Sequence, residues 1–310
     1  MNPKAQIAGL VVATVLVVPA ARGDIHRKAG STGMSFLKLD VGARASAMAG
    51  AFAAVSGDQT CSYWNPAGLI GPYRQAGTLM HCQWFQGIHY EYAGWAASSG
   101  TRAWGIGLAF QSSGELELRG LQPASPRGKP PTFSVYDLAL AFSHARQVGR
   151  FNIGVTGKVL YEKIHTQDAL GVALDMGLIY APGPSGLSIG SSLKNLGRTS
   201  AMREETIRLP LVWQMGGVYE RALSNLGTGV LFALDARVPN DSGVSVHAGM
   251  EYRPTDKLAL RGGYQTGAEE RNIAMGFGIR QGALQVDYAY VPYYFDLGDT
   301  HRISLGWRGQ

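Results

Sequence analysis

The chain has 310 residues, of which 42 are glycine and only 16% are charged, and its net charge is +6. That excess falls to +4 once Lys4 and Arg22 are set aside, and it is dispersed. With no basic run and no aromatic RNA signature, nucleic acid is excluded as a partner class. No stretch after the first 23 residues is long and apolar enough for a membrane-spanning helix, which needs about 20 such residues.

Residues 1–23 read as a secretory signal. Lys4 gives a positive start, Ile7–Val18 is apolar, and Ala21-Arg22-Gly23 is a small-x-small cleavage site, so the mature chain is expected to begin at Asp24. The alternative, a transmembrane anchor, is disfavoured by the short apolar run. Residues 24–74 form a second unit. From Ala43 the stretch Phe36–Ala54 is small and Ala-rich, which favours a short helix ended by Ser56-Gly57-Asp58. Trp64-Asn65-Pro66-Ala67-Gly68-Leu69 then makes a tight connection, with Pro66 fixing φ and Gly68 supplying freedom.

From about residue 75 to 310 the chain alternates. In Arg102–Phe110 the large residues Trp104, Ile106, Leu108 and Phe110 are separated by Ala103, Gly105, Gly107 and Ala109. On a strand this makes one face apolar and the other nearly bare. A soluble sandwich buries the apolar face, whereas a membrane barrel turns it to lipid and keeps small and polar residues for the lumen. About fourteen strands are predicted. They are Gly77–Trp84, Tyr90–Ala97, Arg102–Phe110, Val135–Ser143, Phe151–Glu162, Ala169–Tyr180, Leu187–Asn195, Leu211–Glu220, Gly229–Arg237, Ser245–Tyr252, Leu258–Tyr264, Ile273–Arg280, Leu284–Val291 and His301–Trp307. Links after even-numbered strands are short and those after odd-numbered ones tend to be long, especially Gln111–Ser134 and Leu196–Pro210. This is the asymmetry of periplasmic turns and outer loops. Phe151, Ile153, Val155, Val159 and Tyr161 are expected to face lipid, as are Val172, Leu174, Met176 and Leu178. Lys158, Glu162, Asp175, Asp235, Arg237, Glu251, Arg261 and Arg280 are expected in the lumen, where opposite charges can pair. Tyr180, Trp213, Tyr219, Tyr252, Tyr264, Tyr288 and Trp307 lie near strand ends, as an interfacial girdle does. The fold class is therefore all-β, a transmembrane antiparallel β-barrel of about 14 strands with a short N-terminal helical hatch in its lumen.

Asp40-Val41-Gly42-Ala43-Arg44-Ala45-x-Ala47-Met48-x-Gly50-Ala51-Phe52, followed by Tyr63-Trp64-Asn65-Pro66-Ala67-Gly68-Leu69, resembles the N-terminal signature of the PorV/PorQ family, relatives of the FadL-type outer-membrane barrels. Asp287-Tyr288-Ala289-Tyr290-Val291-Pro292 and the run Leu297–Leu305 are similar to that family's ending. Ala49 stands where a second glycine is common, and Gly57–Cys61 replaces a more acidic, alanine-rich stretch. The resemblance implies a fourteen-stranded outer-membrane barrel with the N-terminal segment folded into the lumen. It makes Gly42, Ala43, Arg44, Met48, Gly50, Trp64, Asn65, Pro66, Ala67 and Gly68 the hatch residues. It also implies a non-enzymatic role in outer-membrane transport or protein secretion of the type IX kind, with secreted cargo proteins or a surface-attachment complex as partners. FadL-type members instead pass hydrophobic small molecules through the hatch, and that conduit is the alternative. In either case outer-membrane lipids surround the barrel.

Tyr293, Tyr294 and Phe295 place aromatic side chains in the last outer loop, as a contact for a partner or lipophilic ligand or as part of the girdle. The long loop Gln111–Ser134, with Arg119, Arg127 and Lys129 and several prolines, is either a partner-binding loop or merely a mobile one. No catalytic residue, cofactor or metal is assigned: the histidines are scattered, no serine motif is distinctive, and Cys82 beside His81 lacks ligand spacing. Cys61 and Cys82 either bridge the hatch linker to the first strand or remain two thiols.

Overall fold

The computed structural model describes residues 28–119, 130–183, 185–202, 204–223, 228–267 and 270–309. The signal reading of residues 1–23 and the loop residues Arg127 and Lys129 lie outside them. The described residues form a closed antiparallel barrel of fourteen strands. In chain order these are β1 Gln75–Gln83, β2 His89–Ser98, β3 Arg102–Ser112, β4 Val135–Val148, β5 Phe151–Ile164, β6 Gln167–Tyr180 and β7 Leu187–Thr199. They continue as β8 Val212–Ala222, β9 Gly229–Pro239, β10 Ser245–Arg253, β11 Leu258–Gln265, β12 Ile273–Gln281, β13 Leu284–Pro292 and β14 Asp299–Gly309. Every strand predicted from alternation is present. Closure is made by β1 against β14, from Gln75 opposite Gly309 to Gln83 opposite His301.

The period-two pattern does what it predicts. On β5, Phe151, Ile153, Val155 and Val159 are exposed on the outer face, while Thr156, Lys158 and Leu160 are buried inside. β6 repeats this with Val172, Leu174, Met176 and Leu178 outside and Asp175 fully buried. Both ends of the barrel chain lie at one rim, where the Arg74 amide donates to the Gly309 carbonyl at 3.1 Å. The short turns 99–101, 149–150, 254–257 and 282–283 share that rim, and the longer links 113–134 and 200–211 are at the other end. The pairing has one register shift, between Leu174 and Met176 on β6 and Leu196 and Leu193 on β7. There Asn195 takes φ 64, a conformation asparagine tolerates. Its amide donates to Asp175 Oδ1 at 2.7 Å, and Lys158 Nζ reaches Asp175 Oδ2 at 2.6 Å.

The N-terminal segment differs from its sequence reading in one respect. Helix α1 covers only Ala43–Ala47, rather than continuing to Ser56. It stops because Ala49 and Gly50 both turn to positive φ, 52 and 76, and the chain leaves the helical path. A second single turn, α2, covers Cys61–Trp64, and a 3-10 turn follows at Pro66–Leu69. Among its described residues, no strand of this segment joins the barrel sheet.

Candidate functional site in the barrel lumen

The segment runs the length of the lumen. At the long-loop end, Thr32 and Lys38 both bond Asp241, the lysine at 2.8 Å, and the Gly33 amide reaches the Arg208 carbonyl. Residues 41–55 and 58–70 are buried except Arg44, which is half-buried. Tyr73 and Arg74 emerge at the short-turn rim and lead into β1.

Every motif residue expected in the hatch lies in this buried run. Gly42 starts α1 at φ 86, and the Ala43 amide donates to Ser304 Oγ on β14 at 2.9 Å. Arg44 grips Glu251 on β10 with two bonds, Nε to Oε2 at 2.8 Å and Nη2 to Oε1 at 3.1 Å, and bonds Asp58 with its remaining nitrogen. This paired geometry is the strong form of the interaction. Glu251 is also held by Arg261, which in turn bonds Asp287. Trp64 donates its indole N–H to the Val41 carbonyl at 2.9 Å and packs on Phe52 and Tyr63. Lys194 and Arg237 lie over its ring. Asn65 caps the Pro66–Leu69 turn by accepting from the Ala67 amide, and its own amide group donates to the Ala53 carbonyl at 2.6 Å. The same group also reaches the Leu178 and Ser191 carbonyls on β6 and β7. Gly68 has no room for a side chain: a Cβ there would meet Cys61 Sγ at 2.8 Å.

The small lumenal residues of the barrel now have a cause. A Cβ added at Gly154 or Gly177 would strike the Asn65–Ala67 turn, and one at Gly190 would strike Ala53 and Ala54. Gly249, Gly263 and Gly276 sit likewise under Met48, Ala49 and Ala47, each at 2.8 Å or less from an added Cβ. These glycines are the footprint of the segment on the wall.

Two residues not named among the expected hatch residues carry much of the electrostatics. Asp40 is fully buried, with Arg271 at 2.9 Å and Arg237 at 3.8 Å. Burial acts to raise its pKa, but Arg271, Arg237 and Arg302 outweigh it and hold the carboxyl well below its ordinary value. Asp58 behaves in the same way. Burial raises it, while Arg44, Arg308 and the Thr60 hydroxyl and amide lower it further. Arg44 loses to burial and gains more from Glu251 and Asp58, so its guanidinium stays charged. Inward-facing charges on β9–β12 were legible in the sequence; their pairing with residues 40–58 was not.

Other expected residues are placed elsewhere. Tyr293 lies at the long-loop rim, packed on Trp84 and Phe85 with Arg271 over its ring. Tyr294 and Phe295 are exposed, Phe295 at 72%. His81 faces outward and Cys82 inward, so they form no common site. Cys61 and Cys82 are free buried thiols, and burial pushes the Cys61 thiol well above its ordinary value.

The comparisons agree with this geometry. A family model described as "Uncharacterised protein family (UPF0164)" matches residues 11–174. No curated protein matches. Among solved structures, the Ralstonia pickettii toluene transporter TbuX superposes with a TM-score of 0.60 at 14% identity, over 87% of this chain and 98% of that one. The Pseudomonas putida toluene transporter TodX superposes with a TM-score of 0.57 at 11% identity, over 86% and 96%. The chain thus shares the barrel fold of these two proteins. The PorV/PorQ name suggested by the motifs is carried by neither comparison.

Proposed function

We propose that this chain, which belongs to the uncharacterised protein family (UPF0164), is a non-enzymatic outer-membrane conduit for small hydrophobic molecules, closed by its N-terminal segment acting as a hatch. One observation carries the reading: a buried segment fills the lumen and is bound to the wall without joining the sheet. It can therefore shift while the barrel stays closed. The wall beside it supports an apolar passenger. Tyr90, Tyr92, Ala109 and Ala139 on β2–β4 face Leu37 and Tyr63 of the segment, and Lys158 is the one charged residue lining the same recess. Toluene transport by the fold relatives is consistent with such a solute.

Deleting Gly42–Ala54 from the full chain tests the hatch. In planar bilayers, conductance should rise and toluene flux into vesicles should increase. A deletion variant that keeps heat-dependent gel mobility yet shows neither change would sink the reading. A protein-secretion role is the second reading, favoured by the exposed Tyr294 and Phe295 at the long-loop rim. It expects secreted proteins to co-purify in gentle detergent and to be lost with Tyr294→Ser and Phe295→Ser.

A further inference from the structure

A cavity of about 480 Å³ opens at the short-turn end beneath the hatch. Four of the last five strands send arginines into it from their inward faces: Arg253 on β10, Arg261 on β11, Arg280 on β12 and Arg308 on β14, with Arg44 above. Most have acidic partners. Arg44 takes Asp58 and Glu251, Arg261 takes Glu251 and Asp287, and Arg253 takes Glu220. Arg280 does not. Its Nε and Nη2 both donate to the neutral amide oxygen of Gln285, at 3.1 and 2.7 Å. Arg308 likewise has no carboxylate within 4.0 Å among the described residues. These two strand ends are neighbours: Arg280 pairs with Gln285, and Gln285 pairs with Gly306, two residues before Arg308. Lys257 adds a third cation at the rim, with Asp256 beside it.

We propose that Arg280 and Arg308 form a binding site for a small oxyanion that enters from the short-turn side. Two guanidiniums that lack a carboxylate in direct contact and share one recess repel each other, and an anion between them relieves that repulsion. Their planar forks match the spacing of carboxylate or phosphate oxygens. Leu187, Val218 and Leu231 line the opposite wall and leave an apolar surface for the carbon part of an organic acid or phosphate ester. The site does not depend on what crosses the lumen, so its failure leaves the conduit reading standing.

Titration calorimetry of the full chain in detergent micelles at low ionic strength, with inorganic phosphate as the probe, tests this. Saturable binding is expected, weakened about tenfold by Arg280→Gln and by Arg308→Gln, each removing one charge-assisted contact. Arg102→Gln, on the same rim but outside the cavity, should leave binding unchanged. Absence of saturable binding overturns the proposal. So does affinity unchanged from the parent chain in both cavity variants with gel mobility intact, or an equal loss with Arg102→Gln, which would mean general charge attraction.

Discussion

On the β3–β7 side of the lumen, the hatch meets glycines and mostly neutral hydrogen bonds: Gly154, Gly177 and Gly190 under Ala53 to Ala67, with Asn65 and Ser192 bonding across; the charges that touch it there are Lys158 and Lys194, over the Tyr63 and Trp64 rings. On the β9–β14 side it meets glycines under α1 and a set of charges: Asp235, Arg237, Glu251, Arg271 and Arg302. The first contact is one of shape and keeps its strength only while the two surfaces touch. The second acts over a longer range, and water weakens it. The short-turn cavity lies on this second side and is lined by Arg44 and Glu251 themselves. Hydration therefore reaches the ionic clasp first, and we expect α1 to let go of β9–β14 while the Asn65 turn stays seated on β5 and β6.

Glu251→Gln should give the largest effect. It leaves Arg44 and Arg261 short of a buried carboxylate, a change that costs about 3–5 kcal/mol. Hydrogen exchange should rise in residues 41–56 before it rises in 60–70, with frequent conductance bursts. Equal protection in both stretches would contradict the order of release. Gly177→Val attacks the other side and forces the Asn65 turn off the wall, at about 1–3 kcal/mol for overpacking. Its exchange pattern should be the reverse. Acid sharpens the contrast. Asp40 and Asp58 have lowered folded pKa values, so their contribution is present above the ordinary carboxylate pKa and is lost only as pH falls through the lowered folded values. Bilayer conductance should thus stay low from neutral pH through mild acid and rise only in strong acid; a rise near pH 6 would assign gating to other groups. Ala49→Gly is the smallest change. It removes a non-glycine residue from φ 52 and should raise thermal stability by about 1 kcal/mol or less, since glycine also frees the unfolded chain.

How much of this was legible depends on what set each feature. The strands were readable because lipid and lumen impose opposite demands on successive residues, and β5 and β6 show that alternation without interruption. The Asn65-Pro66 turn was readable because its geometry is local. The end of α1 was not. Propensity favours continuing the helix through Ala51–Ala54, but Gly263 and Gly276 draw Ala47 and Ala49 against the wall, where the chain turns. The partners of Arg44 and Asp40 were hidden for another reason: Glu251 and Arg271 are more than 200 positions away, and only barrel closure brings them close.

The strands are unequal in length, with 14 residues in β4, β5 and β6 and only 8 in β11. At about 3.4 Å per residue, the outward apolar face from Leu170 to Tyr180 is roughly 34 Å along its strand, against about 20 Å from Leu258 to Tyr264. A bilayer of one thickness cannot fit both sides. The molecule must lean toward its long side or draw the two leaflets together beside β10–β13, each at a fraction of a kcal/mol per ångström. Acyl chains there are then compressed and headgroups sit deeper, so the lipid nearest the ionic clasp is the thinnest that the barrel touches.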